Sequence, residues 1–275
     1  MKPISALRVS DLREIRFVLA DIDDTMTVNG KLPAESYRAL WDLHDAGIGV
    51  VPVTGRPAGW CDLICRQWPV CGVVGENGAF AFYLDGEHRR TVYHPAAPPP
   101  EENRERLNEI ARRVYDSIPG TRPAKDQFCR LFDVAIDFRE EPPLLGFDVA
   151  ARVRSFFERH GACAKVSSIH VNAWFGAYDK LSMARHFLAE RFGHDIGDRE
   201  ANRRVLFCGD SPNDEPMFAA FELSVAVANI ERFLTDLSSP PAYVCARESA
   251  AGFVDLVQLL LEGRQSASRR RVGTV

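Results

Sequence analysis

Residues 16–25 read Arg16-Phe17-Val18-Leu19-Ala20-Asp21-Ile22-Asp23-Asp24-Thr25, and this stretch decides how the rest of the chain is read. A short apolar run, Arg16 to Ala20, stops at an acidic cluster. Such a run, bounded by a turn, is the pattern of a buried strand. In open α/β sheets, ligands bind at the carboxyl ends of strands. Two acids two positions apart at that point, Asp21 and Asp23, can face one site.

The neighbouring sequence supports a parallel sheet. Pro33 to Ala46 is predicted helical, with Leu40 and Leu43 on one face and Gly47 as its stop. Ile48 to Val53 is a second buried-strand candidate, Pro57 to Gln67 a helix, and Cys71 to Val74 a third strand. This alternation argues for strands covered by helices on both faces.

The texture then changes. Ala79 to Tyr83 and Arg90 to His94 flank Asp85-Gly86, a hairpin signal. A proline cluster from Pro95 to Pro100 reads as a boundary. Beyond it come a polar helix (Glu101 to Ser117), a strand-like stretch (Phe128 to Phe138), a helix (Phe147 to His160) and a second strand-like stretch (Ala162 to Phe175). After Asp179 the parallel pattern resumes and runs to a last helix, Ala250 to Leu261. The expected architecture is a Rossmann-like, doubly wound parallel-sheet core (residues 1–93 and 175–275) interrupted by an α+β insert (94–174). Residues 263–275 are polar and arginine-rich and are expected to be disordered.

Three further signals fall where that sheet would place them. Gly209-Asp210-Ser211-Pro212-Asn213-Asp214 follows the strand Val205 to Cys208. Carboxylates gathered at two strand ends suit a hard cation such as Mg²⁺. Thr54-Gly55-Arg56 follows Val53, and a hydroxyl beside a glycine-freed backbone can donate to phosphate oxygens. Lys180 stands at a predicted helix start and can bind phosphate or hold a nucleophile ionised. Taken singly, these residues could form a turn, a helix cap or a surface lysine. Their joint order and placement argue for one site.

On these four motifs the chain resembles the haloacid dehalogenase superfamily. The motifs are DxDxT at Asp21 to Thr25, Thr54, Lys180, and GDxxND at Gly209 to Asp214. Glu76-Asn77-Gly78-Ala79 and Val227-Ala228-Asn229 look like the subclass IIB, or Cof-like, sugar phosphatase branch. In that branch an α/β cap is inserted between the second and third motifs, and Lys180 lies 126 positions after Thr54 here. The resemblance implies that Asp21 is a nucleophile forming an aspartyl-phosphate. It implies that Asp23 is the general acid and then the base, a role for which it must hold a proton while Mg²⁺ and Lys180 keep Asp21 ionised. Asp21, the Asp23 carbonyl and Asp210 would hold Mg²⁺, with Asp214 as a further ligand or anchor. Thr54, Gly55 and Asn213 would bind phosphate oxygens, and Thr25 would hold its loop through a backbone hydrogen bond. Asp24 stands where many relatives have glycine.

The cap should choose the substrate. Ser168, His170 and Asn172 alternate along Ser167 to Asn172 and would share a face that could hydrogen-bond sugar hydroxyls; Arg130 and Lys165 are weaker candidates. The function implied is a Mg²⁺-dependent phosphatase acting on a small phosphomonoester, a sugar phosphate in particular. A carboxylate at Asp23 argues against the ATPases and dehalogenases of the superfamily, which lack it. A hexose phosphomutase shares every motif, and a catalytically retired binding protein is the other alternative.

Composition is consistent with this reading. The chain has 275 residues and a formal net charge of −4, unlike the basic balance usual in nucleic-acid binders. Its 46% hydrophobic residues suffice for a sizeable core without a disulfide or metal staple. Seven irregularly spaced cysteines read as reduced thiols. No apolar run approaches the length of a membrane span, and Met1 to Arg16 lacks a signal-peptide stretch, so a cytoplasmic location is expected. Small phosphorylated metabolites are the expected partners, not nucleic acid or membrane. The sequence leaves the oligomeric state open.

Overall fold

The structure is a computed structural model that describes residues 1–167 and 169–272, the last seven of these as backbone only. Phe17–Ala20 lies inside a parallel sheet, paired in register with Val205–Gly209 on one side and Gly49–Pro52 on the other. Leu223–Ala226, Tyr243–Val244 and Lys2–Pro3 extend the sheet beyond Val205–Gly209. A parallel bridge from Val53 to Val74 joins it to Val73–Gly75, which heads an antiparallel sheet with Phe80–Asp85 and His88–Tyr93.

Alternation along Phe17–Ala20 divides the interior. Phe17 and Leu19 pack with Val51, Val53 and Phe207 beneath helices Lys180–Phe192 and Glu215–Ala220. Val18 and Ala20 pack with Val50, Leu206 and Cys208 beneath helices Ala34–Asp45, Ala58–Gln67 and Ser249–Val272. Burial on both faces explains why the strands are apolar throughout. Phe187, Phe207 and Phe253 are wholly enclosed, and each such side chain contributes roughly 1.5–3 kcal/mol. All seven cysteines are free, four of them buried.

A second sheet lies within the insert. Its order is Arg122–Pro123, Val134–Asp137, His170–Trp174, Cys163–Val166, all antiparallel. Val134, Ile136, Val171 and Ala173 face helices Pro100–Ser117 and Phe147–Arg159, forming a separate core around Leu107, Val153 and Phe157. The opposite face carries Asp137, His170 and Asn172.

Three expectations change. Phe128 to Phe138 is not one strand: a short 3₁₀ turn, Gln127–Cys129, precedes Val134–Asp137. The amides of Leu131, Phe132 and Asp133 donate to the Glu76 side chain, not to a sheet. Ala162 to Phe175 is likewise a hairpin of two strands, Cys163–Val166 and His170–Trp174. The last helix continues to Val272, where a disordered tail is expected from Gly263. Gly263 packs against Leu12, where a Cβ would come within 2.9 Å, and Arg264 donates to the Ile15 carbonyl at 2.9 Å. These contacts carry the helix on. Residues 273–275 lie outside the described residues. Among the described residues no helix is long and apolar enough to cross a membrane.

Candidate active site

The chain leaves Phe17–Ala20 at the sheet's carboxyl edge, where the Asp21 amide donates to the Cys208 carbonyl at 3.0 Å. Val205–Gly209 ends beside it and delivers Asp210. Gly209 is required there, since a Cβ would stand 2.4 Å from Asp214 Oδ2. That oxygen accepts from the Asp210 amide at 3.1 Å. Lys180 is the first residue of its helix, which is capped by Asp179 in a reciprocal capping box with Ser182. Its Nζ donates to Asp21 Oδ1 at 2.7 Å and to Asp214 Oδ1 at 2.9 Å. One carboxylate oxygen each from Asp21, Asp210 and Asp214 lie within 4.8 Å of one another.

The electrostatics of this cluster follow from its dryness. Burial pushes the Asp21 carboxyl up to about 7; Lys180 opposes the rise, while Asp214 and Asp23 add to it. Asp210 is driven well above the carboxylate range by burial, then by Asp214 and Asp21. Burial alone would lower the Lys180 ammonium, but Asp21 and Asp214 hold it above its ordinary value. Three carboxylates against one ammonium leave an excess of negative charge. This hard oxygen set fits a divalent cation such as Mg²⁺, which would relieve the repulsion.

Asp23 has different surroundings. Its side chain is 38% exposed, and both its oxygens accept from Arg56, Nε at 2.8 Å and Nη2 at 2.7 Å. Its setting is therefore not the dry one of Asp21. Asp24 adopts φ +56°, the left-handed region that favours glycine. Its carbonyl accepts from Asn229 Nδ2 at 3.1 Å, which ties the Val227-Ala228-Asn229 segment to this loop. Thr25 does not bond the backbone as expected; its hydroxyl donates to Asp210 Oδ1 at 3.3 Å. Thr27 secures the loop instead, donating to the Ile22 carbonyl and accepting from the Asp24 amide.

Thr54 is fully buried and its Oγ1 accepts from the Arg56 amide at 3.0 Å. Gly55 lies against Asn77, whose Oδ1 would be 3.0 Å from a Cβ at Gly55. Glu76 and Asn77 brace this loop, their backbone amides donating to the Arg56 and Thr54 carbonyls. Asn213 sits in the 3₁₀ turn Pro212–Asp214, between the two GDxxND carboxylates.

Two families match the chain. The family described as haloacid dehalogenase-like hydrolase matches residues 18–112, and the family described as sucrose-6F-phosphate phosphohydrolase matches residues 179–258. Over residues 18–112 the chain is similar to haloacid dehalogenase-like hydrolases. It is an enzyme of the phosphatase kind. Among proteins with curated descriptions none matches it. Similar solved structures include the C-terminal domain of a Candida albicans trehalose-6-phosphate phosphatase, at 15% identity, TM-score 0.70, and coverage of 95% of this chain and 98% of that one. A sucrose-phosphatase from Synechocystis, in complex with sucrose and phosphate, is also similar, at 15% identity, TM-score 0.62, and coverage of 90% and 98%. The protein 0175 of Thermoplasma acidophilum gives 18% identity, TM-score 0.68, and coverage of 90% and 98%.

The candidate substrate residues of the insert do not form one group. Arg130 and Asn172 converge on Asp133: Arg130 Nη1 donates to Asp133 Oδ1 at 2.9 Å and Asn172 Nδ2 to Asp133 Oδ2 at 3.0 Å. His170 instead pairs with Glu140 at 2.8 Å. Ser168 lies outside the described residues. Lys165 is exposed on the edge strand.

Sequence reasoning gave Glu76 no role beyond family likeness. It is wholly buried, and its carboxylate accepts from the amides of Ala58 (2.9 Å), Leu131 (2.8 Å), Phe132 (2.5 Å) and Asp133 (3.2 Å). Burial, then Asp133, pushes it up to about 7 against the pull of those amides. The available signal was its place directly after the apolar strand Val73–Gly75, the same relation that exposes Asp21.

Proposed function

We propose that this hydrolase releases inorganic phosphate from small phosphomonoesters, sugar phosphates in particular, through an aspartyl-phosphate at Asp21. The observation that carries the reading is the convergence of Asp21, Asp210, Asp214 and Lys180 at one edge of the sheet, with Asp23 two positions from Asp21. The matched phosphohydrolase family supports the substrate class.

An oxygen of Asp21 attacks phosphorus as the bond to the leaving oxygen breaks, and that oxygen takes a proton from Asp23. Water then attacks the aspartyl-phosphate, giving its proton back to Asp23 and freeing Asp21 and phosphate. Lys180 holds the Asp21 oxygen in place and offsets charge on the incoming phosphoryl group. Thr54, Gly55 and Asn213 are assigned to its outer oxygens. Asp21, the Asp23 carbonyl and Asp210 would hold Mg²⁺, with Asp214 as anchor or further ligand. Bound there, the cation would neutralise charge between an anionic nucleophile and an anionic phosphate. Residues 94–174 act as the cap that selects the leaving group.

The test is phosphate release from a panel of sugar phosphates and small phosphorylated metabolites. Activity on sugar esters that is lost in D21N and in excess chelator supports the reading. An isomeric sugar phosphate in place of free phosphate would instead identify a mutase. Undiminished turnover by D21N would refute the nucleophile assignment.

A further inference from the structure

A chain of alternating charges runs from the proposed acid into the cap. Asp23 is forked by Arg56, and Arg56 Nη1 stands 4.0 Å from Asp126 Oδ2. Asp126 accepts from Arg130 through both oxygens, at 3.1 and 3.2 Å, and Arg130 pairs with Asp133. The chain closes back on the core: Asn77 donates to Asp133 Oδ2 at 3.1 Å, and Arg130 donates to the Gly55 carbonyl at 3.1 Å. Side-chain exposure falls along it from 38% at Asp23 to 14% at Arg56, 13% at Asp126, 2% at Arg130 and none at Asp133. Solvent screens such pairs little.

This arrangement raises a problem for the proposed reaction, on which the inference rests. An Asp23 whose two oxygens are both forked by a guanidinium is held by that pair and cannot turn toward a leaving oxygen. Arg56 must release at least one of them. Its guanidinium carbon lies 4.3 Å over the Trp60 ring centroid, so the head group can turn in place on that ring. Among the described residues, Asp126 is the other acid within ion-pair distance of it, and the Asp24 carboxylate also feels its charge. At 4.0 Å the two do not yet share a hydrogen bond, and a small rotation would make one.

We infer that Asp126 is a positioning residue that receives Arg56 and thereby frees Asp23 to protonate the leaving group. Asp126 belongs to the cap and Arg56 and Asp23 to the core. In this structure, with the cap against the core, Arg56 is still on Asp23; its rotation onto Asp126 releases the acid, and without that cap carboxylate nothing draws Arg56 away. Arg130 and Asp133 hold Asp126 at the required place. The proton still passes from Asp23 to the leaving oxygen as the ester bond breaks; Asp126 decides only whether Asp23 is available to give it.

The experiment compares two aryl esters of nearly the same shape. Phenyl phosphate expels a strongly basic phenolate, whose conjugate acid has a pKa of about 10, and depends on an acid. 4-Nitrophenyl phosphate expels a far weaker base and depends on it little. D23N is the reference and should slow phenyl phosphate much more than the nitro ester. In D126N, kcat/KM for phenyl phosphate should fall by roughly tenfold or more relative to the nitro ester, a fraction of the 10²–10⁴ of acid catalysis. D126E, which keeps the charge, should recover most of it. A D126N that melts like wild type and keeps the wild-type ratio of the two rates overturns the inference, as does an equal fall on both esters. If D126N does not fold, R56K decides. Its single ammonium cannot fork Asp23, so the phenyl-to-nitrophenyl ratio should equal or exceed that of wild type, and a lower ratio overturns the inference. Failure of the underlying reading is separately visible: wild type would release phosphate from neither ester, or D23N would slow both alike, and the inference would fall with it.

Discussion

Replacing Asp21, the proposed nucleophile, should stabilise the metal-free protein. Burial raises the Asp21 carboxyl from 3.8 to about 7. A group raised on folding contributes stability that is complete below its unfolded value and is lost as pH climbs through its folded value. For Asp21 that window runs from roughly pH 4 to pH 7, and the gap corresponds to about 4 kcal/mol. At pH 8 in chelator, wild type has lost all of it. The amide that D21N introduces carries no charge, and its carbonyl oxygen can still accept from Lys180. The variant should therefore be more stable than wild type by roughly 2–4 kcal/mol at pH 8, raising the thermal midpoint by about 5 °C or more. Asp210 is raised too and keeps some pH dependence in the variant. The assay is thermal melting of both proteins in EDTA between pH 5 and 8, then with added Mg²⁺. The advantage of D21N should grow with pH and shrink with Mg²⁺, because a cation that binds the folded wild type more tightly stabilises it more. A D21N that melts at or below wild type at pH 8 in chelator, with a parallel pH slope, would refute the claim that burial dominates at Asp21.

Other outcomes follow from individual contacts. E76Q sets an amide NH₂ against buried backbone N–H donors and should cost roughly 3 kcal/mol or more, measured by urea unfolding; amide exchange at Leu131 to Asp133 should accelerate with it. R130M strips Asp133 and Asp126 of their shared cation and should lower stability by about 3–5 kcal/mol, read from the same urea midpoint. G78A adds a Cβ at φ +106° and only 2.0 Å from the Asp179 carbonyl; because Asp179 precedes Lys180, both the melting temperature and phosphate release should fall.

What the sequence disclosed was whatever depends on strand ends. Asp21, Thr54 and Asp210 each follow a buried apolar run, and a parallel sheet brings such ends together whatever the chain length between them. Lys180 and Asp21 meet although 159 positions separate them. Contacts that depend on the meeting of two folded units were not legible. Glu76 gathers amides 55 to 57 positions away, and no local pattern marks Leu131 to Asp133 as donors to a carboxylate. Their apolar neighbours imitate a strand, so Phe128 to Phe138 reads as one. The continuation of the last helix depended likewise on Arg264 reaching Ile15, 249 positions earlier.

The same distinction governs the two acids on which the proposed chemistry turns. Asp21 and Asp23 are two positions apart and chemically identical, and the sequence can say only that both lie at one strand end. The fold gives them opposite surroundings. Asp21 lies in a dry cluster with Lys180, and Asp23 faces the solvent-accessible side beneath Arg56. A nucleophile needs its oxygen fixed, and a long-range lysine on a helix start does that without blocking the second oxygen. An acid that later becomes a base needs a partner it can lose and regain. A forked arginine with a second carboxylate 4.0 Å away is such a partner. The difference between the two roles therefore lies in Lys180, Arg56 and Asp126; the sequence assigned a role to the first, showed the second only as the end of Thr54-Gly55-Arg56, and gave no sign of the third.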